Sequence, residues 1–556
     1  MSFALSAGVT GLQAHQKMLD IAGNNLANVN TTAFKSSRIT FAELLSETIK
    51  KASQPTSGIG GTNPQQMGTG VGIGGISPNM SQGNLVNTGN PLDLAMEGEG
   101  YFVLSDGEQS LYSRAGAFGV DAASNLVDPA TGYLVQRIGS TGESDGFQSA
   151  GNSNIHVPYD VAMAANATSE VMVSGNLSAD AAFDAPQRQV LNSNISYTTN
   201  NGTTADLTTE IDQLDQYTGT LTSGTITISG YHPDSAPFAG AGTSFSVTGA
   251  TTLGDFVDHL NNNLLTDSTA SLVNGRIRVT DDNGGYSKSD MNFSYAGDGT
   301  LETPAYFEIL TVGGEEVKSI NITVYDTQGG RHVLSGAFVR SDITPNTWDL
   351  LLMSITGNVY QMDMQDRRID DISFNASDGS YFGLSGTDDP EFVITFGHDT
   401  ANPQTIGLTM GTVGQLDGLT QFAGNSTAVA RGQDGYAAGR LSTVSVDNEG
   451  TVIGAFSNGI KKDIATLQIA LFQNPAALES AGGGYFSPSA NSGEPVATQA
   501  MTGGAGTIHG GALEKSNADV ATEFVNMIQA QNGFQANART IRIANEILRE
   551  LTNLIR

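Results

Sequence analysis

The sequence predicts a mainly β, multidomain body with α-helical coiled-coil segments at its N- and C-terminal ends and discontinuous domains nested inside one another. Three observations predict it. Apolar residues at heptad spacing occur at the two ends and nowhere between. The 68 Gly and 16 Pro among 556 residues punctuate many short strand-like runs. Stretches of similar texture recur in pairs on either side of the middle, so each outer domain draws on both halves of the chain.

In order, the first helix is expected from about Phe3 towards Asn30, with a stripe of Leu5, Val9, Leu12, Gln16, Leu19, Gly23 and Leu26. Small residues crowd it (Ala4, Ala7, Gly8, Gly11, Ala14, Ala22), which costs helix propensity but lets another backbone approach closely. Asn24, Asn25, Asn28, Asn30, Thr31 and Thr32 either stop this helix or bond across an interface, because such side chains compete for backbone groups. Phe41 to Ile49 reads as a further helical turn or two. The Gly, Pro, Gln, Ser and Thr composition of 53–75 reads as a linker.

Strands follow at Leu92–Met96, Tyr101–Leu104 and Leu111–Arg114, and the same texture returns in Leu441–Val446 and Leu467–Phe472. Residues 155–177 and 320–419 form a second nested pair. The innermost stretch reads as an insertion, with a short helix from Leu253 and a strand from Arg276. The last helix carries Val520, Phe524, Met527, Gln531, Phe534, Ala538, Ile541, Asn545, Leu548, Thr552 and Ile555. The natural partner of each terminal helix is the other. The expected domains are therefore 1–52 with 506–556, 53–145 with 428–505, 146–185 with 316–427, and 186–315.

Residues 1–51 hold five Lys/Arg against three Asp/Glu, and residues 513–556 hold five of each. The whole chain is at −31, so the middle carries −33. An acidic body on near-neutral ends argues against nucleic acid, whose phosphates require a basic face. The chain has no cysteine, which excludes disulfides, thiolate metal sites and cysteine nucleophiles. No apolar run is long enough to span a membrane. The start, Met-Ser-Phe-Ala-Leu-Ser-Ala-Gly, lacks a basic stretch before an apolar one, so it is not read as a conventional secretory signal.

Motifs that carry chemistry are missing. There is no G-x-S-x-G elbow, no H-E-x-x-H, no phosphate loop and no dinucleotide fingerprint with its acid. The seven His are scattered, and His232-Pro-Asp and His398-Asp read as loop neighbours rather than catalytic pairs. Asp281-Asp282-Asn283-Gly284 lacks the closing Glu of a Ca²⁺ loop and reads as a turn. No catalytic, cofactor-binding or metal-binding residue is expected.

Four stretches together carry a resemblance. Gly23-Asn-Asn-Leu-Ala-Asn-Val-Asn-Thr-Thr-Ala-Phe34-Lys35 resembles the amino-terminal signature of the bacterial flagellar rod and hook family. Asn90 to Phe102 and Tyr112 to Phe118 are similar to its next two blocks. Leu513-Glu-Lys-Ser-Asn-Ala-Asp519 with Gln535-Ala-Asn-Ala538 resembles the carboxyl-terminal one. Tyr325 to His332, Asp434 to Leu441 and Phe456 to Gly459 are similar to the hook members in particular. Two departures are Ala33, where the family pattern has Gly, and Ala518, where it has Val. Phe3 is followed by Leu5, Ala7 and Val9, a spacing unlike that of hook-type export substrates.

The resemblance implies a structural subunit exported unfolded, without a cleaved signal, through the flagellar type III apparatus. It implies a homopolymer forming a curved hollow tube outside the cell, which passes torque from motor and rod to filament. The distal rod protein, a hook cap or scaffold protein and a hook-filament junction protein are the implied partners. The 53–75 linker would let core and outer domains change angle. Subunit contacts are expected at Leu5, Leu12, Leu19, Asn24, Asn25, Leu26, Asn28 and Phe34. Their counterparts are Asn517, Asp519, Phe524, Met527, Phe534, Ile541 and Leu548. The distal rod protein, or another axial protein, is the alternative within the family, although the long middle argues against it. A secreted Ca²⁺-dependent adhesin or surface-layer protein is the alternative outside it. Such a protein would need aspartate-rich glycine repeats, which are missing, and would leave the terminal heptads unexplained. A glycan hydrolase hidden in the insertion would need a carboxylate pair that the sequence does not single out.

Overall fold

The computed structural model describes residues 3–180, 185–343, 346–362, 365–384 and 390–554. Among them α-helix is confined to α1 (Phe3–Ala27), α2 (Leu253–His259) and α3 (Val520–Leu554), and strands make up most of the rest. The chain divides into two compact units. One is Met1–Met163 with Arg440–Arg556, the other Ala164–Gly439.

In the first unit α1 and α3 pack antiparallel: Gly8 lies against Ile541, Gly11 against Asn537, and Gly533 against the His15 ring. After α1 the chain forms a long ribbon of four strands: β1 (Ser37–Glu43), β2 (Ser46–Lys50), β3 (Gln65–Gly68) and β4 (Val71–Pro78). β1 pairs antiparallel with β4 and β2 with β3. Two sequence expectations fail here. Residues 41–43 and 46–49 are strand rather than helix, and 65–68 and 71–75 are strand rather than linker. The β-branched and aromatic residues decide the matter, since Ile39 faces Ile76 and Phe41 faces Ile73 across the ladder. Gly72, Gly74 and Gly75 sit inside that ladder, where composition alone reads as flexibility.

The body of this unit is a nine-stranded sheet to which both halves of the chain contribute. Tyr101 and Phe102 pair with Ala470 and Ile469, and Tyr112 pairs with Phe486. Tyr101 and Tyr112 meet Phe472 edge-on, at 5.7 and 4.9 Å between ring centres, which closes one core. A four-stranded sheet of Ala162–Met163, Gly439–Val446, Thr451–Phe456 and Lys461–Thr466 completes the unit.

The second unit has two cores. Strands Val317–Tyr325 and Arg331–Ile343 belong to a five-stranded sheet whose inner face buries Trp348, Phe338 and Leu350 against Phe392 and Val171. The other core gathers Leu191, Phe256, Phe293 and Phe307 around α2. It also takes in Ala337, Val339 and Leu351 of the five-stranded sheet, so the two cores share that sheet. α2 starts where expected because Thr252 and Asp255 cap it reciprocally.

The unit boundaries differ from the expected ones. Residues 146–163 lie in the first unit, where Phe147 stacks on Phe456 and Ile155 bonds to the backbone of Leu126 and Val135. Residues 428–439 lie in the second, because Val429–Gln433 pairs with Glu170–Ser178. The strand pairing of each segment outweighs its compositional texture.

Candidate assembly interface

The bases of α1 and α3 are tied by side chains from the two signature blocks. Asn25 is buried and bonds three ways: Nδ2 donates to Ser37 O (2.9 Å) and Glu523 Oε1 (3.0 Å), and Oδ1 accepts from Ser37 N (2.9 Å). Asn517 does the reciprocal work. Its Oδ1 accepts from Ser36 N (2.8 Å), and its Nδ2 donates to the carbonyls of Asn79 and Ser81. Phe34, half-buried, accepts at its carbonyl from Asn517 N. Asp519 caps α3. Its carboxylate accepts from the Thr522 hydroxyl and from the N–H groups of Ala521 and Thr522, which holds it below the usual carboxylate range.

Asn24 and Asn28 act differently from Asn25. Asn28 Nδ2 donates back to Asn24 O at 2.9 Å, and Thr31 donates to Asn28 Oδ1. These residues stop α1 locally, whereas Asn25 spans the interface.

The internal seam between the helices runs along a different stripe from the expected one. On α1 the buried residues are Gly8, Gly11, Ala14, Ala22 and Asn25, and on α3 they are Glu523, Ala530 and Ala544. Leu5, Leu12, Leu19 and Leu26 are only half-buried along its flank, and Val9 is exposed. Met527 and Ile541 are half-buried, whereas Phe524, Phe534 and Leu548 are exposed. Ile555 lies outside the described residues. The small residues decide the face, because a Cβ on Gly11 would stand 2.8 Å from Asn537 and one on Gly533 2.4 Å from His15. Backbones this close leave no room for leucine between them.

The large apolar residues of α3 are therefore displayed outward. Phe524 is 48% exposed, Ile547 58% and Leu554 83%. Gly8 already faces Ile541, so α3 continues past the start of α1, and every described residue after Ala544 is exposed. Apolar residues exposed beyond a helix's one packed stripe mark a surface for interaction. Among the described residues no helix is long and apolar enough to cross a membrane.

Sequence reasoning missed Lys35, Arg114, Glu514 and Glu523. Lys35 Nζ lies 2.7 Å from Glu514 Oε1, both fully enclosed, and burial pulls the lysine below its ordinary value despite that partner. The available signal was a lone charge in each of two signature blocks, Lys35 in 23–35 and Arg114 in 112–118; Glu514 shares its block with Lys515 and Asp519.

Four family models match the chain. They are Flagella basal body rod protein over 5–35, Flagellar hook protein FlgE/F/G D1 domain over 95–178, Flagellar basal body protein FlaE D2 domain over 292–436, and Flagellar basal body rod FlgEFG protein C-terminal over 509–554. The flagellar hook protein FlgE of Borreliella burgdorferi is 29% identical over 558 residues, and that of Treponema pallidum 30% identical over 562, each covering all of both chains. The crystal structure of Helicobacter pylori flagellar hook protein FlgE2 matches 77% of this chain and all of its own at 16% identity and a TM-score of 0.41, too weak a likeness to argue from. End-to-end similarity to the hook proteins, with the matches at both helical ends and in both units, places this chain in the flagellar hook protein FlgE family, as a structural subunit of the hook.

Proposed function

We propose that many copies of this chain polymerise through α1 and α3 into a curved hollow tube, a universal joint that passes torque from motor and rod to filament. One observation carries the reading: the outward apolar residues of α3, from Phe524 to Leu554, which stand between 38% and 83% exposed. The terminal helices line the tube and the acidic units face water. The units comprise four nested domains: the helical pair, the β body of the first unit, the sheet body around Trp348, and the insertion around Phe256.

The subunit leaves the cell unfolded through the flagellar type III apparatus and works outside it. Its neighbours at the ends of the tube are the distal rod protein, the cap or scaffold protein and the hook-filament junction protein. Its role is mechanical and not enzymatic. The absence of cysteine suits a chain that must unfold and thread a channel. His332, in the hook-like block, supports a structural reading, since its two ring nitrogens face Thr356 O and Asp326, which follow two different strands of the five-stranded sheet.

Sedimentation and electron microscopy test the proposal. The full chain is expected to form tubes at rising concentration, while chains lacking 1–30 or 520–556 stay folded and monomeric. Efficient tube formation by either truncated chain would refute it.

A further inference from the structure

Glu514 stands on the last strand before α3, and its carboxylate meets three separate segments. Oε1 accepts from Lys35 Nζ and from Gly83 N, each at 2.7 Å. Lys35, just beyond α1, also donates to Ser81 O at 2.9 Å. On the far side Arg114 Nη1, from the end of a sheet strand, lies 3.9 Å from Oε2, and its guanidinium sits 5.1 Å above the Tyr101 ring. The backbone fits closely around the group. A Cβ on Gly83 would stand 2.0 Å from Lys515 O, and Ala33 N donates to the Glu514 carbonyl.

As a source of stability this arrangement is poor. Two cations share one enclosed carboxylate, and Glu514 Oε2, Arg114 Nε and Arg114 Nη1 are buried without hydrogen-bond partners. Desolvating such a group offsets most of the Coulomb gain, and apolar replacements of similar volume often do as well. What charges do better than methyl groups is fix one geometry, because sliding by a residue strands a buried charge.

We infer that Glu514, with Lys35 and Arg114, is a positioning residue for assembly: it sets the register of the α1–α3 pair against the β body of the first unit, and so the angle at which the helices meet the next subunit. The inference rests on the polymer reading above. A helix pair docked in two registers would present its outward residues to the lattice at two heights, and only one can repeat along a tube.

The test is the full chain carrying K35M, R114M and E514Q together. The glutamine carbonyl keeps an acceptor for Gly83 while all three charges go. Near-UV circular dichroism and thermal unfolding are read on the monomer, and critical concentration and lattice repeat on seeded polymer, beside the wild type. The expected result is a folded monomer whose midpoint moves by a few degrees. Its critical concentration should rise about tenfold or more, and its polymer should show a changed or mixed lattice repeat. An unchanged critical concentration and lattice would overturn the inference. So would a variant that fails to fold, since the three residues would then serve stability alone. If the wild type itself did not polymerise, the polymer reading would fall and this inference with it, an outcome told apart because no variant enters it.

Discussion

Asn25 Nδ2 donates to Glu523 Oε1 at 3.0 Å, joining the last turn of α1 to the first turn of α3 across 498 residues of chain. The same amide holds Ser37 through both its oxygen and its nitrogen. One buried side chain thus aims the ribbon and closes the loop between the ends of the sequence.

Replacing Asn25 by Ala leaves Ser37 N, Ser37 O and Glu523 short of partners, at about 1–3 kcal/mol for each group that stays buried. The expected outcome is early fraying of the helix base, seen as faster amide exchange in 20–28 and 520–527 than in the β body. Exchange unchanged there would show that the triple contact does not hold the helices.

The two faces of α3 should separate in mutation. Gly533→Val drives a side chain into the His15 ring, so it should part α1 from α3 in the monomer. Phe534→Asp, one residue on, alters a side chain that is 38% exposed. It should leave monomer unfolding unchanged and abolish polymerisation, because a carboxylate buried at every lattice site costs on the order of several kcal/mol per subunit. Normal tubes from the Phe534→Asp chain would show that this face stays wet.

The two terminal helices were legible because heptad spacing survives in the sequence whatever the tertiary context. Which stripe faces inward was not. Leu5, Leu12 and Leu19 look like the seam on hydrophobicity, but Gly8, Gly11 and Ala14 win it by allowing closer approach. The ribbon was illegible for the opposite reason, since Gly72, Gly74 and Gly75 signal flexibility while Ala42 and Thr40, paired across the ladder with Gly72 and Gly75, hold the strand extended. Lys35 and Glu514 lie 479 positions apart, and no local pattern pairs them.

Ala33 offers a stabilising change. It is buried with φ at 55°, the left-handed region, where the family pattern has Gly. An L side chain there costs about 1–2 kcal/mol, part of which glycine returns through its freer unfolded chain. Ala33→Gly should therefore raise stability by about 0.5–1 kcal/mol, read as a higher urea midpoint at the helix band of circular dichroism. A lower midpoint would mean that the strain is absorbed elsewhere.

Acid should loosen the second unit. Burial opposes the charge on Asp434, but donors from Ser169 and the backbone of Glu170 outweigh it and hold the carboxyl below the usual range. Asp326 is held low in the same sense, against burial, by His332 and the N–H groups of Gly330 and Gln328. A carboxyl depressed by folding contributes stability above its unfolded value near about pH 4, and that contribution is lost as pH falls through the folded value. Trp348, the only tryptophan and fully buried, reports this unit alone. Its fluorescence should show the urea midpoint falling below about pH 4, with a shallower fall in Asp434→Asn. Equal slopes in the two chains would remove Asp434 from the linkage.

Salt should favour assembly. The middle of the chain carries −33 and the ends are near neutral, so stacking subunits brings like charges together around an apolar seam. That repulsion is screened over about 8–10 Å at moderate ionic strength, while burial of residues such as Phe524 and Ile547 is not weakened by it. The near-neutral ends still contain ion pairs, but Lys35–Glu514 is enclosed within one subunit and beyond the reach of the ions outside. The critical concentration should therefore fall as salt rises, by light scattering across a salt series at fixed pH. Attraction between charged faces of neighbouring subunits would give the opposite slope. A critical concentration that climbs with salt would assign the lattice to ion pairs and not to the outward residues of α3.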